Sequence, residues 1–78
     1  FSNYNNLGVT SCNLKNYNDA KRFYNKALSF TNDPIDRIMT ANNIAIVYHN
    51  QKRYNKAVSI YKNSLTALAQ RVNSIQKF

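Results

Sequence analysis

Residues 41–65 read ANNIAIVYHNQKRYNKAVSIYKNSL, and a weaker copy, YNNLGVTSCNLKNYNDAKRFYNKAL, occupies residues 4–28. Set 37 positions apart, the copies share nine identities: Asn5/Asn42, Asn6/Asn43, Asn13/Asn50, Lys15/Lys52, Tyr17/Tyr54, Asn18/Asn55, Ala20/Ala57, Tyr24/Tyr61 and Leu28/Leu65. Leu7/Ile44, Gly8/Ala45, Val9/Ile46, Phe23/Ile60 and Ala27/Ser64 match conservatively. Self-similarity at a period of about 20–50 residues is the signature of a solenoid, in which one supersecondary unit stacks on the next. Within each copy the apolar spacing is helical. Ala20, Phe23, Tyr24, Ala27 and Leu28 recur at three and one residues, as one helical face does.

Outward from the copies, four helices are predicted, over 2–13, 17–30, 34–50 and 54–69. Leu7, Val9 and Leu14 give the first an apolar side, and Gly8 leaves room for a neighbour. Asn16 is predicted to cap the second helix, with Asp19 in its first turn. Asp33-Pro34 with Asp36 is a strong helix start. The third helix is predicted to bury Ile38, Ala41, Ile44, Ala45 and Tyr48, and the fourth Ala57, Val58, Ile60, Tyr61, Leu65 and Leu68. Arg53 and Lys56 replace the cap and the acid in the second copy, so that turn is expected to be the weaker. Val72, Ile75 and Phe78 continue the pattern, so residues 70–78 are read as a helical extension or the start of a further repeat. The division is 1–33, 34–69 and 70–78, within a longer array.

Each copy resembles a tetratricopeptide repeat, with its run of bulky residue, Leu-Gly-like pair, turn tyrosine, alanine, aromatic, alanine and a proline opening the next unit. The first copy supplies Tyr4, Leu7, Gly8, Tyr17, Ala20, Tyr24, Ala27 and Pro34. The second supplies Ile44, Ala45, Tyr48, Tyr54, Ala57 and Tyr61. Ser11 and Ser64 depart from the pattern, and the longer period with Asn-Asn openings looks like the kinesin-light-chain and Leu-Gly-Asn types. The resemblance implies an all-α, right-handed superhelical array of antiparallel helix pairs. It also implies a concave groove lined by the first helix of each pair. On this chain that groove comprises Asn5, Asn6, Val9, Cys12 and Asn13, then Asn42, Asn43, Ile46, His49 and Asn50. A carboxamide both donates and accepts, and relatives use such asparagines to hold a peptide backbone; Asn6 and Asn43 are the sharpest pair. Fourteen asparagines in 78 residues also place such pairs by composition. Asn5 and Val9 stand where a carboxylate-clamping relative carries Lys and Asn, which disfavours that clamp.

The net charge is +8, and no acid lies between Ile38 and Phe78. Such a balance favours acidic partners, although an A/T-rich coding sequence drifts the same way. The basic residues fall on the second helices and turns: Lys21, Arg22, Lys26, Lys52, Arg53, Lys56 and Lys62. The function read here is a non-enzymatic scaffold holding an extended peptide or adjacent subunit, possibly an acidic one. The alternatives are a basic module binding RNA or another polyanion, and a purely structural segment of a large assembly. The one cysteine excludes an internal disulfide framework and fits a reducing, cytoplasmic compartment. Cys12 and His49 are too few for a metal site, no catalytic triad is available, and no cofactor is expected. No apolar run is long enough to span a bilayer.

Overall fold

The computed structural model describes the backbone of residues 2–76 and the burial of residues 3–74. It contains four helices: α1 (Ser2–Asn13), α2 (Tyr17–Leu28), α3 (Pro34–Asn50) and α4 (Tyr54–Gln76). No strand occurs among the described residues. Each helix packs on the next in sequence, and α1 also touches α3 lightly. This all-α chain of stacked pairs is the expected solenoid architecture. The tail is continuous with α4 as far as Gln76; Phe1, Lys77 and Phe78 lie outside the described residues.

The core is centred in the first pair and reaches across into the second. Cys12 of α1, Ala20 and Tyr24 of α2 and Val47 of α3 form its centre, with Tyr17 and Ile44 packed against it. Gly8 makes this possible. A Cβ there would stand 2.5 Å from Cε1 of the Tyr24 ring, closer than any real contact. Thr40 and Val47 are completely buried, although the periodicity of α3 pointed to other residues.

Both pairs turn by the same device. Lys15 and Lys52 hold left-handed backbone, with φ of 62° and 63°. The N–H of Lys15 donates to Cys12 O and that of Asn16 to Ser11 O, at 3.0 and 2.8 Å. The N–H of Lys52 donates to His49 O and that of Arg53 to Tyr48 O, both at 2.9 Å. This pair of bonds is the Schellman motif, which satisfies carbonyls at a helix end and normally puts glycine at the left-handed position.

Two expectations are corrected here. Asn16 makes no side-chain cap bond; its ψ of 70° is not the extended geometry from which a cap reaches forward. The two turns are held by the same backbone bonds and differ in the charges at the start of the helix that follows. Of the α4 residues expected to be buried, Ala57 is, but most of the others are open to solvent. Tyr24 is 2% exposed and Tyr61 36%, while Tyr54, Val58, Leu65 and Leu68 are exposed as well. The reason is packing order. α3 covers the outer face of α2, and no helix among the described residues covers that face of α4.

The linker between pairs is tied at both ends. Asp33 Oδ1 accepts from the N–H groups of Ile35 and Asp36 at 2.8 and 3.3 Å, with Pro34 opening α3. Arg37 Nη1 donates to Leu28 O and Thr31 O at 3.0 and 3.1 Å, fastening the end of α2 to the start of α3. Tyr4 and Phe30 stack at 5.6 Å between centroids, closing the same end of the first pair.

Candidate functional site: the α1/α3 face and the α3–α4 turn

Of the residues expected in the groove, six are exposed: Asn6, Val9 and Asn13 on α1, and Ile46, His49 and Asn50 on α3. Among these, Val9/Ile46 and Asn13/Asn50 occupy matching positions on the two first helices. Cys12 lies between them but is buried. His49 packs edge-on against Tyr54, ring centroids 5.2 Å apart, at the end of the strip where the chain turns.

The asparagines divide into different jobs. Asn5 is half-buried, and its Oδ1 accepts from Thr40 Oγ1 at 3.4 Å. Asn50 Nδ2 donates to the Cys12 sulfur at 3.5 Å. Both bonds run from α1 to α3, so these two side chains fasten one repeat to the next. Asn42 presents a buried Oδ1 with no hydrogen-bond partner. Asn6 is exposed and shares a shallow depression of about 440 Å³ with Asn3, Leu7 and Thr10. Its counterpart Asn43 is half-buried, because the equivalent face of α3 carries the buried Thr40 and Val47. The two members of the sharpest sequence pair therefore have different surroundings. The period places them alike on their helices, but only α3 has a helix packed on that side.

The basic residues are not an even outer face. Arg22 pairs with Asp19 at 3.1 Å in the open, where an ion pair contributes little. Lys26 and Lys62 are exposed on α2 and α4. Lys21, Arg53 and Lys56 instead gather on Tyr48, with cationic atoms 4.7, 5.2 and 5.6 Å from the ring centroid. Lys52 stands beside them in the turn, lining a depression of about 440 Å³ with Arg53, Tyr54, Asn55 and Lys56. The cluster could not be found by reading one copy at a time: Lys21 comes from the first and the rest from the second.

One buried group has a perturbed acidity. Burial raises the Tyr24 phenol above its ordinary 10.0, with a smaller push from Cys12 beside it. The ring fills the Gly8 gap in the core, so this is a packing residue rather than a reacting one. None of the described helices is long and apolar enough to cross a membrane.

A family model described as a tetratricopeptide repeat matches residues 4–32 and 37–74. No curated protein and no solved structure gives a significant match. Repeats of this kind generally mediate protein–protein interaction, and their family is typically a non-enzymatic scaffold. The two matched stretches take in most of both helix pairs, the Gly8–Tyr24 contact and the core that joins the copies, and the chain belongs to the tetratricopeptide repeat family.

Proposed function

We infer that this chain is a segment of a longer array whose α1/α3 face holds an extended peptide, or a loop of a neighbouring subunit. The observation that supports this reading is the strip of Val9, Asn13, Ile46, His49 and Asn50 exposed on the two first helices, with Val9/Ile46 and Asn13/Asn50 in register. An exposed valine and isoleucine offer apolar contact, and the carboxamides beside them can pair with backbone N–H and C=O of a ligand whatever its side chains. Asn6 and Asn43 carry the backbone pairing. Asn43 lies half-buried near the seam between α1 and α3, and Asn6 is open on α1. Asn5 and Asn50 hold the seam itself, which keeps the two rows of side chains in fixed register.

The outer side of α4 supports membership of a longer array. Tyr61 and Leu65 repeat Tyr24 and Leu28 of α2, and both are exposed, as is Leu68 one turn further on. In solenoids each unit contacts its neighbours, and such a face is covered by the next helix.

The test replaces Val9 or Ile46 by a photo-crosslinking amino acid in the intact protein, with Asn25 on α2 as the off-groove control. A partner peptide crosslinked from Val9 and Ile46 but not from Asn25, and lost in Asn6→Ala/Asn43→Ala with helicity unchanged, is the expected result. Crosslinks that persist in the double variant would remove the asparagine pair from the reading. Crosslinks equal at Asn25 would remove the groove.

A further inference from the structure

Three cations from two different repeats converge on one uncharged ring. Lys21 Nζ lies 4.7 Å, Arg53 Cζ 5.2 Å and Lys56 Nζ 5.6 Å from the centroid of Tyr48. A tyrosine face attracts cations through its quadrupole but neutralises none of their charge. Beyond the ring, Lys21 donates to the neutral Gln51 Oε1 at 3.3 Å. Arg53 and Lys56 find no carboxylate: the ion pair among the described residues is Asp19–Arg22. Lys52 adds a fourth positive charge in the adjoining depression. The first backbone N–H groups of α4 also leave the helix here, and the positive end of a helix adds to the same field.

The first copy is a comparison built into the same chain. Asn16 stands where the second copy has Arg53, Asp19 where it has Lys56, and Ser11 where it has Tyr48. That turn carries its own carboxylate, already paired with Arg22. The uncompensated cluster is thus a property of the α3–α4 turn and not of the repeat.

We propose that the α3–α4 turn is a second binding site, independent of the groove, which takes the carboxylates of an aspartate- or glutamate-rich segment of a partner protein. Lys21, Arg53 and Lys56 hold the carboxylates, Lys52 flanks them, and Tyr48 positions the three cations without touching the ligand. An anion seated there offsets the mutual repulsion of the cluster. The arrangement favours peptide over nucleic acid. A nucleic-acid surface strings its cations along a backbone track and leaves aromatic faces open for stacking; here three cations lie within 5.6 Å of the centroid of a single ring.

The probes are fluorescein-labelled octaglutamate and an oligouridylate of similar charge, titrated by fluorescence anisotropy against the intact protein. At about 0.15 M salt, charges more than about 8 Å apart are largely screened, so local clusters dominate. Arg53→Gln/Lys56→Gln is compared with Lys26→Gln/Lys62→Gln, which removes the same charge elsewhere. The first double variant is expected to weaken octaglutamate binding at least about fivefold and the second less than about twofold. Lys21→Gln, on the other repeat, must weaken it too, and serves alone if the turn variant fails to fold. Equal losses in the two double variants would reduce the effect to net charge and overturn the site. So would no octaglutamate binding, or tighter oligouridylate binding with the same dependence on Arg53 and Lys56.

Discussion

Replacing Lys15 or Lys52 by glycine should stabilise this fold. Both sit at φ near +62°, as the C′ residue of a Schellman turn. An L-residue pays roughly 1–2 kcal/mol there, from its Cβ crowding the following carbonyl. Glycine removes that cost but adds back about 0.4–1 kcal/mol of unfolded-chain entropy. The net gain is about 0.5–1 kcal/mol per site. The sites lie in different turns, so the double variant should gain about 1–2 kcal/mol. For a domain of this size each kcal/mol moves Tm by about 4–8 °C. The assay is urea and thermal unfolding followed by far-UV circular dichroism, with Lys15→Ala and Lys52→Ala as controls. Alanine removes the same charge and keeps the Cβ, so the glycine-minus-alanine difference isolates the backbone term. Glycine variants no more stable than their alanine partners would refute the reasoning.

Other perturbations have equally definite outcomes. Gly8→Ala forces a methyl against the buried Tyr24 ring; overpacking of about 1–3 kcal/mol outweighs a helix-propensity gain of about 1, and the urea midpoint should fall. Asp33→Ala removes the cap that accepts from Ile35 and Asp36 and should cost about 1 kcal/mol, whereas Asn16→Ala, with no cap bond to lose, should be nearly neutral in the same assay. Because the folded state holds the Tyr24 proton more tightly than the unfolded chain, unfolding releases that proton once pH exceeds the unfolded value of 10.0. This contribution is complete below pH 10 and declines above it; Tyr24→Phe should flatten the alkaline limb of a stability–pH profile, and an unchanged limb would place the titration elsewhere.

The fold was legible because its information is periodic. The repeat at 37 residues, the Asp33-Pro34 start and the helical spacing of Ala20, Tyr24 and Ala27 are local patterns, and local patterns survive in a single sequence. What failed to show was neighbourhood. Tyr24 and Tyr61 are the same letter in the same register, yet one is core and the other exposed, because burial depends on which helix lies alongside. Lys15 at a left-handed position was hidden because that conformation usually announces itself through glycine. Asn5 and Asn50 read as groove residues, and the bonds they make across the seam depend on Thr40 and Cys12, thirty-five and thirty-eight positions away. The gathering of Lys21, Arg53 and Lys56 on Tyr48 depended likewise on two copies meeting in space.

The core joins α1, α2 and α3, so the unit that folds is out of phase with the unit that repeats. A duplication copies α1 with α2, or α3 with α4, as text. What it must inherit intact is the joint between α2 and α3, which belongs to neither copy alone. A cut at Asp33, harmless to both sequence motifs, would take Val47 and Ile44 away from Tyr24 and split the hydrophobic centre in two. Exchange of modules among such arrays must therefore keep two joints at once, the Gly8–Tyr24 contact inside a pair and the packing of Val47 with Tyr24 between pairs.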